Sequence, residues 1–321
     1  MRNALRTALI VSLAAVALFL PGTVPASATT ASPCVCAVVP SVPTAAGGFS
    51  TPTGKGFWLA YPDGRVAVAG DAPPFGDASG LPLSNPVVGG ATTPSGHGYW
   101  LVARDGGIFS YGSAHFFGSM GGVRLNEPVF SMAPTESGRG YWLVARDGGI
   151  FTFGDGQFHG STGGLNLNQP IVGISSSRTG RGYRLVARDG GIFGFGDAKY
   201  YGSLPGLGLH VSDVVGMALT PSKEGYWIAR ADGTVYAFGD AHTFVDRPRA
   251  AAPVLAIFSN PKSQGYQLLG NESTTAPYGA APGQPVPYHP GESPFIEFCT
   301  AVKPGTPWPS TANTSVRCTP L

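Results

Sequence analysis

Charge is scarce in this 321-residue sequence: Asp, Glu, Lys and Arg together make up 12% of it, about half the fraction of an ordinary globular chain. The signs are nearly balanced, 20 basic against 18 acidic residues, and two of the basic ones, Arg2 and Arg6, stand at the extreme N-terminus. Without those two the formal charge is zero. A partner held by bulk electrostatics is therefore not expected, which sets aside nucleic acid and anionic membrane surfaces. Long apolar runs are missing as well. The run Ala8–Leu20 is too short for a comfortable bilayer span, and nothing later approaches one. No segment keeps a helical period. In its place stand 48 Gly and 30 Pro, which end helices and shape turns. These absences point to an all-β chain rich in tight turns.

The short apolar run is itself informative. Met1–Arg6 carries two arginines and no acid, Ala8–Leu20 follows, and Ala26-Ser27-Ala28 is a small-x-small site. This is the pattern of a secretory signal peptide over 1–28, with a retained anchor as the alternative. The chain is thus expected to be secreted, extracellular or associated with the cell surface, without a membrane span once the signal is removed. Cysteine is rare but even in number: Cys34, Cys36, Cys299 and Cys318. An even count in an exported chain favours disulfides. A Cys34–Cys36 bridge would close a very small ring, so both are expected to pair with Cys299 and Cys318 and tie the ends together. Cys-x-Cys with two scattered thiols does not match a usual zinc spacing, and neither metal nor cofactor is expected.

What is abundant is a repeated phrase. Gly98-Tyr-Trp-Leu-Val-Ala-Arg-Asp-Gly-Gly-Ile-Phe109 returns nearly unchanged at 140–151 and, with Arg184 in place of Trp, at 182–193. Looser copies occupy 56–66, 225–235 and 265–275. Indexed on the central Trp, the copies fall at Trp58, Trp100, Trp142, Arg184, Trp227 and Gln267, in steps of 42, 42, 42, 43 and 40 residues. Periods near forty point to propellers or solenoids. In the second copy, 86–92 reads as a first strand, Tyr99–Arg104 as a second and Ile108–Tyr111 as a third. Asp105-Gly106 signals a hairpin, because a tight primed turn needs positive φ. His115-Phe-Phe117 reads as a short fourth strand.

Four short antiparallel strands per repeat, with the second apolar on both alternating faces, fit a blade stacked between two others. The fold class read from the sequence is all-β, a β-propeller of six blades of about 42 residues. Seven blades with an irregular last one, or a β-solenoid, are the alternatives. The expected organisation is a signal peptide over 1–28, an extended lead-in over 29–43, the repeat domain over 44–283 and a Pro-rich tail over 284–321. The sixth copy is degenerate but keeps strand patterns at 253–258 and 265–269. Possible strands at 294–298 and 314–318 would complete the last blade or cover the closure, or build a seventh blade with 35–42.

The repeated phrase, followed by Phe153-Gly-Asp155 and Phe158-His-Gly-Ser161, resembles the propeller-like repeat arrays of secreted actinobacterial proteins. The resemblance spans about residues 44–281. It implies a stand-alone exported protein, or a module of the kind attached to hydrolases or adhesion domains. It assigns no functional residue.

Within each copy some positions carry chemistry. Asp63, Asp105, Asp147, Asp189 and Asp232 read as hairpin formers, and Asp71, Asp155, Asp197 and Asp240 as caps after the third strand. A basic position three residues before the index holds Lys55, His97, Arg139 and Arg181, then Glu224 and Gln264. A meander brings it to the same rim as the caps, so Arg139 and Arg181 are expected to form surface ion pairs with Asp155 and Asp197. Arg104, Arg146 and Arg188 belong to the opposite rim, where three arginines on adjacent blades could bind an anionic glycan; solvated hairpin charges are the plainer reading. The Trp set sits mid-strand between apolar neighbours and reads as inter-blade core.

No enzyme motif stands out. There is no Gly-x-Ser-x-Gly elbow, no His-Glu-x-x-His and no phosphate loop leading into a helix, and the six histidines are scattered. The function read from the sequence is binding: a monomeric exported scaffold that recognises a glycan, a cell-wall component or a protein through loops on one rim. The alternatives are a hydrolase or lyase acting on polysaccharide, with carboxylates drawn from several blades, and a purely structural envelope protein. A central cluster of carboxylates with raised pKa would favour the enzyme. N-terminal sequencing of the exported protein is expected to start at Thr29, and thiol titration of the unfolded, unreduced chain to find no free cysteine. A start at Met1 or four titratable thiols would remove the export and disulfide readings.

Overall fold

The computed structural model describes residues 45–242, 253–260, 265–270 and 275–278. The signal peptide, the lead-in, the Pro-rich tail and all four cysteines lie outside the described residues, and so do their expected bridges. Six sheets follow one another. The first holds β1 (Gly47–Ser50), β2 (Phe57–Ala60) and β3 (Val66–Ala69), and the second β4 (Val87–Thr92), β5 (Gly98–Ala103) and β6 (Ile108–Gly112). The third holds β7 (Val129–Pro134), β8 (Gly140–Ala145) and β9 (Ile150–Gly154), and the fourth β10 (Ile171–Ser176), β11 (Gly182–Ala187) and β12 (Ile192–Gly196). The fifth holds β13 (Val214–Leu219), β14 (Gly225–Arg230) and β15 (Val235–Gly239), and the sixth β16 (Val254–Asn260), β17 (Gly265–Gly270) and β18 (Thr275–Tyr278). Each is an antiparallel meander with its second strand in the middle.

The local chemistry explains the meander. At the hairpins Asp105 accepts a hydrogen bond from the N–H of Gly107 at 2.9 Å, and Asp147 and Asp189 accept from Gly149 and Gly191 at 2.8 Å. The residue between is glycine at φ 79°, 80° and 79° (Gly106, Gly148, Gly190), a left-handed conformation that a side chain would strain. The hairpin aspartates are thus turn formers, as the sequence suggests. The second strands β5, β8, β11 and β17 are buried at every residue. A strand apolar on both faces is therefore sandwiched on both faces.

The sheets are joined by a repeated pair. Trp58, Trp100, Trp142 and Trp227 are at most 1% exposed. Each ring packs on the tyrosine one position earlier in the next sheet: Trp58 on Tyr99, Trp100 on Tyr141, Trp142 on Tyr183 and Trp227 on Tyr266, at centroid distances of 5.7, 5.6, 5.5 and 5.4 Å. Both rings also have a polar end, and both ends grip the segment after the third strand. The indole N–H of Trp100 donates to the His115 carbonyl at 2.8 Å. The Tyr141 hydroxyl of the next sheet donates to the Gly118 carbonyl at 2.6 Å and accepts from the Phe117 N–H at 3.1 Å. Trp142 and Tyr183 treat Gln157, His159 and Gly160 in the same way.

That grip corrects one expectation. His115–Phe117 is not a fourth strand; among the described residues each sheet has three. The backbone groups that a fourth ladder would use are instead satisfied by the indole of one sheet and the phenol of the next. The segment is wedged between sheets rather than added to one.

First strands neighbour one another in chain order, β1 with β4, β4 with β7 and so on, and β16 returns to β1. The third strands are accordingly outermost. Among the described residues no strand ladder closes the circle. Closure is by side chains: Ser50 Oγ donates to the Ser259 carbonyl at 2.8 Å, and the Phe57 and Phe258 rings lie 5.9 Å apart. At this joint Gln267 and Phe57 stand where four of the other joints have Trp and Tyr and the fifth has Arg184 and Tyr226. Sheets in cyclic succession are the layout of a β-propeller, not of a solenoid, whose ends stay apart.

Tyr183→Phe keeps the ring and removes both hydrogen bonds at one joint. Urea unfolding should show a loss of about 1–3 kcal/mol with an unchanged slope. A variant as stable as the parent would show that the hydroxyl grip is not a structural element.

Candidate functional site

The three hairpin-rim arginines do not act together. Arg146 lays its guanidinium 5.0 Å from the Phe130 ring centroid, and Arg188 donates through Nε to the Ser212 carbonyl at 2.9 Å. Arg104 is exposed and lines a shallow groove of about 290 Å³ with Asn85, Asp105, Val123 and Leu125. Two of the three are engaged by their own surroundings.

At the opposite rim, formed by the turns between first and second strands, Lys55, His97, Arg139 and Arg181 are all exposed. The expected ion pairs are not there: neither Arg139–Asp155 nor Arg181–Asp197 is among the salt bridges of the described residues. The carboxylates are taken by hydroxyls instead. Asp155 accepts from Thr135 Oγ1 at 2.8 Å and Ser137 Oγ at 2.5 Å, and Asp240 accepts from Thr220 and Ser222 at the same distances. Asp197 accepts from Thr179 Oγ1. A short, pre-positioned hydroxyl loses less rotamer freedom than a long arginine, so it wins the carboxylate. These aspartates cap turns.

The turns also interlock. A Cβ on Gly96 would lie 2.6 Å from the Pro52 ring, one on Gly138 2.9 Å from Pro94, and one on Gly180 3.2 Å from Glu136. The fourth residue of each turn thus rests on the second residue of the turn before it. The second residues are Pro52, Pro94, Glu136, Arg178 and Pro221, and the fourth are Gly54, Gly96, Gly138, Gly180 and Lys223. Three positions leave this pattern, Glu136, Arg178 and Lys223, and they sit in consecutive turns.

The structure joins two of the three, Lys223 and Glu136, and pairs the third, Arg178, with Glu224. Lys223 adopts φ 59° and is the single positive-φ residue other than glycine among those described. Its side chain is 24% exposed and its ammonium meets Glu136 Oε1, two sheets away. It also reaches Ser176 Oγ, at the end of β10, at 3.2 Å, and Ser176 Oγ donates to Glu136 Oε1 at 3.2 Å. Burial pushes the lysine down to about 8; the Glu136 carboxylate beside it acts in the opposite sense. Next to this triad, Glu224 stands where the other turns are basic. It accepts from Tyr201 Oη at 2.5 Å and pairs with Lys199 at 3.3 Å and Arg178 at 3.7 Å. The Tyr201 hydroxyl, then Lys199, hold its carboxyl below the usual range. Burial and Glu224 push the Tyr201 hydroxyl up to about 12.

Behind Tyr201 lies Arg184, 2% exposed, in the slot that Trp fills in four other sheets. Its Nε–H donates to the Lys199 carbonyl at 2.6 Å, the bond that an indole makes to the residue fifteen positions on. The guanidinium stacks between Tyr201 and Tyr226, 5.4 and 5.8 Å from their centroids. Its Nη1 is buried without a hydrogen-bond partner, and desolvation pushes its pKa down.

The rim positions Lys55, His97, Arg139 and Arg181 therefore share the turn rim with this cluster but take no part in it. Glu136, Ser176, Arg178, Lys199, Tyr201 and Lys223 escaped notice in the sequence. Aligning the turns would have found three of them, since Pro to Glu136 or Arg178 and Gly to Lys223 are departures from an otherwise regular column. Among the described residues, no group of three or more His, Cys, Asp or Glu is placed to hold a metal ion.

No family model matches the sequence, and no curated protein is similar to it. Solved structures are similar in fold. The β-propeller domain of Cps50 (Swd1) from "Myceliophteria thermophila" is 13% identical, with a TM-score of 0.48 over 71% of this chain and 81% of that one. A protein of unknown function from Bacteroides thetaiotaomicron is 12% identical, with a TM-score of 0.50 over 73% of this chain and 68% of that one. At such identities the likeness concerns fold alone.

Arg184→Trp restores the joint used by the other sheets. It removes a buried guanidinium with an unmade hydrogen bond, and the new indole N–H can take the Lys199 carbonyl. A gain of about 1–3 kcal/mol in unfolding free energy is expected, measured by urea titration. A loss of stability would mean that Arg184 is matched to its slot.

Proposed function

We propose that this chain is an exported β-propeller of six blades that binds its ligand at the turn rim of the third to fifth sheets. The return of β16 to β1 supports six blades, because a seventh would have to open that joint. The signal-like N-terminus and the resemblance to secreted actinobacterial repeat arrays support export. The observation that carries the binding reading is the set of polar contacts that Glu136, Arg178 and Lys223, from three consecutive turns, make at this rim: Lys223 with Glu136 and Ser176, and Arg178 with the neighbouring Glu224. Each of the three departs from the repeat, and Lys223 holds a conformation that favours glycine. Strain kept at one copy alone marks function more often than architecture. A rim with three cations (Arg178, Lys199, Lys223) and two carboxylates (Glu136, Glu224) within reach suits a ligand carrying both hydrogen-bonding and charged groups: a glycan, a cell-wall component or a protein.

The hydrolase or lyase alternative needs a carboxyl held above its ordinary range to act as an acid. Glu224, Asp77 and Asp197 are all shifted the other way. Binding is therefore the stronger reading.

The test pairs Arg178→Ala with Lys223→Gly, which restores the repeat glycine. Retention of the mature protein on isolated cell walls, soluble polysaccharides and cell-surface proteins would be compared for parent and variant. The double variant is expected to lose at least about tenfold in affinity while melting at the parent's temperature. Unchanged retention would place the site elsewhere, and turnover of a retained polymer would favour the enzyme.

A further inference from the structure

Three large aromatic side chains stand out on the surface. Phe116 and Phe158 are 60% exposed and Tyr200 is 57% exposed. They occupy one repeat position, sixteen residues after the index, in the second, third and fourth sheets. The joints already have their own rings, and these three take no part in them; the Tyr200 hydroxyl donates to Ser203 Oγ at 3.0 Å, which leaves its ring face exposed. In the first sheet the position is Pro74, and in the fifth it lies outside the described residues.

Their presentation is rigid. The residue before each is anchored to its own sheet: the His115, Gln157 and Lys199 carbonyls accept from Trp100, Trp142 and Arg184 at 2.8, 2.8 and 2.6 Å. The residue after each is anchored to the next sheet: the N–H groups of Phe117, His159 and Tyr201 donate to the hydroxyls of Tyr141, Tyr183 and Tyr226, each at 3.1 Å. With backbone fixed on both sides, the ring between is held outward, outside the third strand. Little ordering is left to be done on binding, and preorganised rings are the efficient kind of contact.

The surroundings favour one class of occupant. His115, Gln157 and Lys199, each exposed beside its ring, alternate polar donors with the aromatics. No charge of one sign repeats along the row, so the complementary ligand is neutral on balance. The exposed aliphatics Leu81, Val123, Leu165 and Leu207 recur at a different repeat position, seven residues further on, so the rings belong to no repeated run of adjacent apolar positions. Isolated flat rings, flanked by donors and repeated once per sheet, match a polymer whose units each offer an apolar face and a rim of hydroxyls.

We propose that Phe116, Phe158 and Tyr200 form a stacking row for a neutral polysaccharide chain laid across three sheets. The proposal rests on the binding reading above; its row extends away from the turn rim and meets it only at the fourth sheet, where Lys199 beside Tyr200 pairs with Glu224. Each ring alone is a weak contact, and a chain long enough to reach all three binds through their combined effect.

The test uses affinity electrophoresis and sedimentation of the mature protein with chitin, cellulose, mixed-linkage β-glucan and soluble oligosaccharides of increasing length. Affinity is expected to rise with chain length, then level off. Phe116→Ala, Phe158→Ala and Tyr200→Ala should each weaken retention by about two- to tenfold, and the triple variant should abolish it. Phe116→Trp and Phe158→Trp should retain binding, which separates stacking from a structural loss. Arg178→Ala with Lys223→Gly tests the turn rim separately. Retention unchanged in the triple variant, or no retention of the parent on any of these polymers, overturns the proposal. Loss in the turn-rim variant with the ring variants unaffected overturns it too, and leaves the rim reading standing.

Discussion

Everything in this fold depends on one joint, the tryptophan of a sheet packed on the tyrosine of the next, repeated at four of the six junctions. Apolar burial brings the two rings together, but their polar ends decide the architecture. The indole and the phenol must each find a partner once buried. Both find it in the backbone segment that leaves the third strand. That segment is consequently clamped between two sheets, and the energy that would have gone into a fourth ladder goes into inter-sheet contact. The outward rings at Phe116, Phe158 and Tyr200 and the three-strand count follow from that clamp.

The rim obeys a second constraint of the same cyclic kind. Each turn rests its fourth residue on the second residue of the turn before, which asks for glycine above and a compact residue below. Where that rule is kept, the rim is inert. Where it is broken, at Glu136, Arg178 and Lys223, charge appears instead: Lys223 reaches Glu136 two sheets away, and Arg178 pairs with Glu224. Arg184 is the matching exception beneath, a cation in an aromatic slot that keeps the old hydrogen bond with a different atom.

The sequence carried the period, the hairpin aspartates, the doubly buried second strands and the strands of the degenerate sixth copy. Those features are local or repeat faithfully, and a repeated local signal survives translation into structure. The fourth strand was misread because Phe116 and Phe117 look like strand residues when their neighbours in space are invisible; the tyrosine that claims their backbone lies a full repeat away. The Arg139 and Arg181 ion pairs were misread for a related reason. Proximity at a rim was legible, but the competing hydroxyls of Ser137 and Thr179 sit in the same turn and are shorter. The polar cluster lay in the differences between copies, and it became visible only when the turns were set side by side.

The closing joint has a meaning of its own. Four junctions share one chemistry and a fifth, Arg184 on Tyr226, imitates it, so the edge of one interior sheet would be an acceptable mate for most others. The sixth-to-first junction is built from Gln267, Phe57, Phe258 and the Ser50–Ser259 bond, and it speaks a different dialect. A chain whose six units were all alike could slip by one unit, or recruit a unit from a neighbouring molecule, without noticing the error. Two edges that fit each other and none of the interior ones give the ring a defined beginning and end, and make correct self-closure the match that a second copy would have to outcompete.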